Sequence, residues 1–157
     1  MIFYIISGVL FLSGAFLIII NLINNKRRKI NLIKRKWQNY AILIPARYEA
    51  KVIRDLLDSL KDQISSFKDT YIVVKSENDE TVTIAKEYGA NIFIRTELES
   101  RHRKGFALDE VLKEILKNKH YDLYFIFDAD NILDKDFIKE MLNSYNDGYD
   151  IAVAYRS

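Results

Sequence analysis

From Tyr40 onward the chain switches repeatedly between two hydrophobic periods, and this alternation restricts the fold more than any other feature. Tyr40–Ile44 is a short apolar run closed by Pro45, which cannot donate to a ladder, so it reads as a buried strand. Val52, Ile53, Leu56, Leu57 and Leu60 then recur at the spacing of one helix face. Tyr71–Val74 is a second β-branched run. Asn78, Asp79, Glu80 and Thr81 open a helix that carries Val82, Ala85 and Tyr88, and Gly89 suits its end. Ile92–Ile94 is a third strand. After Gly105 the residues Ala107, Leu108, Val111, Leu112, Ile115 and Leu116 mark an amphipathic helix. Leu123–Phe127 is a fourth strand closed by Asp128, Phe137 to Tyr145 is another helix, and Ile151–Tyr155 predicts a fifth strand. Apolar strands alternating with helices predict an α/β, Rossmann-like domain, its mainly parallel sheet covered by helices on both faces. Sheets of this kind bind ligands at the carboxyl ends of their strands, near a reversal of strand order.

The first forty residues follow other rules. Ile2 to Ile23 carry no charge, and a helix of that length spans roughly 33 Å, enough to cross the hydrocarbon core. A cleaved signal peptide would place positive charge before the apolar run and a small-residue site after it. Here the charge follows, so residues 1–24 are expected to be a transmembrane anchor. Residues 1–40 hold seven Lys/Arg and no acid, whereas after residue 40 there are 17 bases against 22 acids, a net of −5. That basic collar predicts a juxtamembrane segment over 25–39 and a domain over 40–157 on the cytoplasmic side, attracted to a membrane surface and not to nucleic acid. The chain lacks cysteine, so any metal must take oxygen or imidazole ligands.

Three strand ends carry candidate chemistry. Phe127-Asp128-Ala129-Asp130-Asn131 places two carboxylates one residue apart at the end of an apolar strand, where unpaired burial would be costly. A solvated or metal-occupied edge suits them, and their hard oxygens suit Mg²⁺ or Mn²⁺ holding a diphosphate. The competing reading makes them a turn and helix cap, but Asp134 or Asp136 stands ready for that role. After the first strand, closed by Pro45 and Ala46, Arg47 and Glu49 could reach a nucleotide lying over the strand tips. Arg101, His102, Arg103 and Lys104 precede Gly105 at a helix start, which suits phosphate through charge and open N–H groups. His102 and His120 read as surface residues.

Taken in order, Ile44-Pro45-Ala46-Arg47-Tyr48-Glu49, Lys104-Gly105-Phe106-Ala107-Leu108 and Asp128-Ala129-Asp130 resemble the family 2 glycosyltransferases of the GT-A fold, over about Tyr40 to Ser157. The resemblance implies inverting transfer of a sugar from a nucleotide diphosphate sugar, commonly UDP-linked, to an acceptor hydroxyl. It implies a nucleotide pocket lined by Pro45 through Glu49, Lys104 and Gly105 near the diphosphate, Asp128 toward the ribose or metal, and Asp130 on the metal. Tyr48 stands where the family commonly has Asn. Lys75-Ser76 stands where an acidic residue usually contacts the base, which brings Ser76 into the pocket. The acceptor-activating base is expected beyond Ser157, so the chain is expected to hold only the nucleotide-sugar-binding half. Two other accounts compete: a non-catalytic nucleotide-binding or scaffold remnant, and a haloacid dehalogenase-type phosphohydrolase. In the latter the aspartate pair ends the first strand, whereas three predicted strands precede it here.

Overall fold

The computed structural model describes residues 14–18, 33–96 and 103–154. The chain divides into two compact units, Met1–Leu32 and Ile33–Ser157. Of the first unit, residues 14–18 are helical, with Phe16, Leu17 and Ile18 exposed. Among the described residues no helix is long and apolar enough to cross a membrane. Most of the span expected over 1–24 lies outside the described residues.

The second unit alternates strand and helix: β1 Tyr40–Pro45, α1 Ile53–Lys61, β2 Thr70–Val74, α2 Glu80–Glu87, β3 Asn91–Ile94, α3 Lys104–Asn118, β4 Leu123–Ile126 and α4 Phe137–Asn146. The strands form one sheet in the order β3-β2-β1-β4, and every pair is parallel. From β1 the chain steps outward through β2 to β3, then returns to place β4 on the other side of β1. The reversal therefore falls between β1 and β4, whose carboxyl ends border the crevice where such sheets take ligands.

Alternation along the strands assigns the two faces. Ile42, Ile44, Ile72, Val74 and Phe125 pack with Ile53, Leu56, Leu57 and Leu60 of α1, Val82 and Ala85 of α2, and Ile138 and Leu142 of α4. Leu43 and Val73 point the other way, against Ala107, Val111 and Ile115 of α3. Helices thus cover both faces, as the apolar strands require. The four α1 side chains are completely buried, and each contributes on the order of 1.5–3 kcal/mol of burial. Asp79 caps α2 by accepting from Thr81 N at 2.9 Å, and Gly89 takes a φ of 76° just after that helix.

Two features depart from expectation. Residues 33–39 belong to the folded unit and are fastened to it. Arg35 reaches Asp150 at 2.6 Å and lies over the Tyr145 ring, and its N–H donates to Asn146 O. The N–H groups of Gln38 and Asn39 both donate to Asp122 Oδ2, while Asp122 N donates back to Asn39 Oδ1. The fifth strand, expected over Ile151–Tyr155, does not form across 151–154, where Ile151 and Val153 are 83% and 87% exposed. A β-branched run becomes a strand only against a partner ladder. β4 pairs with β1 on one side and is an edge strand on the other, and residues 151–154 do not pair with that edge.

Candidate functional site

The segment after β1 is fixed by the start of α2. Ala46 N donates to Val73 O, continuing the ladder one residue beyond Pro45. Tyr48 N then donates to Asp79 Oδ2 at 2.8 Å, and Glu49 N to Thr81 Oγ1 at 3.1 Å. Asp79 and Thr81 are buried, so these bonds run in a water-poor setting and hold the loop firmly. Glu49 O accepts from Val52 and Ile53, closing the turn into α1. Arg47 is exposed, with its guanidinium 5.9 Å from the Tyr48 ring centroid. At the end of β2, Ser76 is half-buried, and its Oγ accepts from Asn78 N.

The end of β4 places its two carboxylates outward. Just past β4, Phe127 and Ala129 are buried while Asp128 and Asp130 are exposed. Asp128 N donates to Asn131 Oδ1 at 3.0 Å, and Asn131 N returns a bond to Asp128 O, closing a tight turn. The Asp128 carboxylate pairs with the Lys104 ammonium from the first turn of α3. Both side chains are about half exposed, so the pair contributes at most about 1 kcal/mol to stability. Its meaning is positional: a cation and an anion 24 residues apart in sequence meet beside the strand-order reversal. A methyl added at Gly105 would meet nothing within 4 Å, so the backbone at the start of α3 is open to close approach.

The structure thus joins Lys104 to Asp128 and binds the Pro45–Glu49 loop to α2. Asp136 stands at the N-cap of α4 but makes no side-chain cap bond, and Phe137 N is met by the backbone carbonyl of Asp134. Neither aspartate performs the side-chain capping expected of it. Arg101 and His102 lie outside the described residues, and His120 is exposed at the amino end of β4. Among the described residues no group of three or more His, Asp or Glu could hold a metal. Asp128 and Asp130 would need oxygens from a ligand or solvent to complete a coordination shell.

Two elements of the site region went unread in the sequence. Asp79 announced itself as a cap, but its second bond, to the β1 loop, is not visible in a linear pattern. Arg95 follows β3 and forms an ion pair with Glu110 of α3 at 2.9 Å, with side chains 15% and 9% exposed. Glu110 also accepts from Thr96 N. Glu110 lies one residue before Val111 of the apolar stripe, a signal that a buried cation awaited it.

Away from these strand tips, a groove of about 520 Å³ opens between α1 and α2, lined by Arg54, Lys61, Phe67 and Tyr88 among others. It includes none of the strand-end residues. Another polar cluster sits at the amino ends of the strands. Tyr121 Oη donates to Asp69, Lys119 pairs with the same carboxylate at 3.1 Å, and the Tyr71 and Tyr121 hydroxyls lie 3.1 Å apart. Burial works against the Asp69 charge, but the bonds from Tyr121 and Lys119 prevail and hold its pKa below 3.8. Burial first, then the bond to Asp69, raises Tyr121 well above 10.0. Asp69 has the depressed pKa of a paired acid, so its contribution is present above the unfolded value near 3.8 and lost as pH falls through the folded one. Tyr121 is raised, so its contribution is present below the unfolded value of 10.0 and declines above it. Tyr121→Phe is expected to move the Asp69 carboxyl titration upward, read by carbon-detected NMR. An unmoved titration would show that Lys119 alone sets it.

A sequence model of glycosyl transferase family 2 matches residues 41–156. No curated protein sequence matches the chain. Among solved structures, S. aureus TarS 1-349 superposes with a TM-score of 0.52 at 21% identity, covering 68% of this chain and 32% of that one. The same fragment has been solved in complex with UDP-GlcNAc, and superposes with a TM-score of 0.53 at 21% identity over 68% of this chain and 30% of that one. Glucosyl-3-phosphoglycerate synthase from Mycobacterium tuberculosis, in complex with Mn²⁺, UDP and glucosyl-3-phosphoglycerate, gives 0.55 at 20% identity over 71% of this chain and 40% of that one. The chain therefore spans about a third of the length of these structures. At such identity the likeness concerns the fold.

Proposed function

Because the chain belongs to glycosyl transferase family 2, we propose that it is the donor-binding part of a membrane-anchored enzyme that passes a sugar from a nucleotide diphosphate sugar to an acceptor hydroxyl. The carrying observation is the meeting of Lys104 and Asp128 beside the strand-order reversal, next to a loop fixed by Asp79 and Thr81. The UDP and UDP-GlcNAc bound by structural neighbours support a UDP-linked donor. Membership of the family removes the ground for the phosphohydrolase alternative, and the aspartate pair follows the fourth strand.

In this reading Pro45, Ala46, Arg47, Glu49 and Ser76 line the nucleotide. Lys104 and the N–H groups near Gly105 oppose the diphosphate charge, and Asp128 lies toward the ribose or metal. Asp128 and Asp130 fit a hard divalent cation, since both are outward carboxylates flanking buried Ala129. Mn²⁺ or Mg²⁺, when bound, would offset charge on the departing diphosphate. Inverting displacement also needs a base to take the acceptor proton, and our reading assigns it to no residue of this chain. The uncharged run from Ile2 to Ile23 and its basic collar support a single-pass anchor with the domain on the cytoplasmic side.

The test is Asp130→Asn in the full chain, reconstituted in lipid nanodiscs. UDP affinity in the presence of Mn²⁺ is expected to fall at least about tenfold, or 1.4 kcal/mol, with an unchanged unfolding midpoint. Unaltered affinity would remove the metal assignment. Wild-type binding without sugar turnover, even with the donor and a broad acceptor set, would favour the non-catalytic remnant.

A further inference from the structure

The groove between α1 and α2 is lined by two unlike sets of side chains. One set is aromatic and held in place. Tyr88 meets Phe67 edge to face, with ring centroids 5.5 Å apart and planes at 72°. The Tyr88 hydroxyl donates to Asp58 at 2.6 Å. Arg54 pairs with Glu87 at 2.8 Å, and its guanidinium lies 6.0 Å from the Tyr88 ring centroid. Phe67 is buried and Tyr88 half-buried, so both rings are positioned before any ligand arrives.

The other set comes from the last residue of α1 and the turn after it: Lys61, Ser65 and Ser66, all exposed. Among the described residues, no carboxylate pairs with Lys61 and no protein group bonds the Ser65 hydroxyl. Ser66 Oγ accepts from Lys68 N at 3.2 Å, which leaves its own proton to donate. A cation suits the carboxyl end of a helix. That accounts for Lys61, but not for the two hydroxyls and two rings beside it. Of the charged side chains in the lining, Arg54 and Glu87 neutralise each other, so the positive charge of Lys61 is uncompensated. The volume, about 520 Å³, is that of a small-molecule site.

We propose that this groove binds a small phosphate monoester carried on a flat apolar body. The phosphate lies on Lys61, Ser65 and Ser66, and the body lies against Phe67 and Tyr88. An ammonium and two hydroxyls offer donors to three terminal oxygens, one more than a carboxylate presents. The rings supply apolar contact that inorganic phosphate cannot use. The site goes beyond the proposed function, since it shares no residue with the strand ends and its ligand is not the sugar donor.

The experiment titrates the full chain in lipid nanodiscs calorimetrically with phenyl phosphate and with inorganic phosphate. Because Lys104 and Gly105 also suit phosphate, Lys61→Met and Lys104→Met are titrated alongside wild type. Wild type is expected to bind phenyl phosphate about tenfold more tightly than inorganic phosphate. Lys61→Met is expected to bind phenyl phosphate at least about tenfold more weakly, with an unchanged urea midpoint because Lys61 is exposed. Lys104→Met should retain the wild-type affinity. Wild-type affinity in Lys61→Met overturns the site. A loss confined to Lys104→Met also overturns it, because the anion would then lie in the strand-end crevice. Equal affinity of wild type for the two ligands overturns the role of the rings, and a lack of saturable binding overturns the proposal as a whole.

Discussion

Asp79→Ala is expected to destabilise the domain by about 2–4 kcal/mol and to release the loop that follows β1. One buried carboxylate accepts from Tyr48 N at 2.8 Å and from Thr81 N at 2.9 Å. Removing it costs a helix cap, typically about 1 kcal/mol, and a charge-assisted bond worth about 1.5–3 kcal/mol. Thr81 N then has no cap within a region that excludes water. Urea denaturation with unchanged m-value measures the stability loss. UDP titration should show a parallel loss, because residues 46–49 would no longer be held open against α2. A variant as stable as wild type would mean that the loop is retained by Thr81 alone.

The second large effect is expected at Glu110. Its carboxylate, 9% exposed, accepts from Arg95 and from Thr96 N. Glu110→Ala removes charge-assisted bonds from a largely buried guanidinium and is expected to cost about 1.5–3 kcal/mol. Glu110→Gln retains the shape and should recover part of that loss. The double variant Arg95→Met with Glu110→Leu is expected to be more stable than Glu110→Ala, since apolar side chains of similar length replace the pair and refill its volume. Urea midpoints of the three variants decide the matter. Equal stability of Glu110→Ala and wild type would refute a structural role for the pair.

Much of the architecture was legible because it depends on local patterns. Leu56, Leu57 and Leu60 announce an amphipathic helix, and Ile42, Leu43 and Ile44 announce a strand buried on both faces. Asp128 and Asp130 could be placed on an exposed edge by the cost of burying charge. What stayed hidden depends on partners distant in sequence. The bond from Tyr48 to Asp79 spans 31 residues, that from Arg95 to Glu110 spans 15, and those from Asn39 to Asp122 span 83. Ile151 and Val153 misled for the complementary reason: their β-branched pattern states a preference, and a preference produces a strand only when the segment pairs with a neighbouring edge, which residues 151–154 do not do. Tyr48 shows a third limit, since its positive φ of 59° is held by two hydrogen bonds that no residue pattern announces.

The docking of residues 33–39 has a mechanical consequence. Arg35, Trp37 and Asn39 fasten the incoming segment to Asn146, Asp150 and Asp122, and the next residue begins β1. β1 is flanked on both sides, and its far end leads straight into Pro45–Glu49. From Arg35 to Glu49 the chain has no slack: a fastened lead-in, a central strand and a pinned loop lie in series. About 20 Å of strand separates the two fastenings, so a displacement of the lead-in would reach the loop through β1.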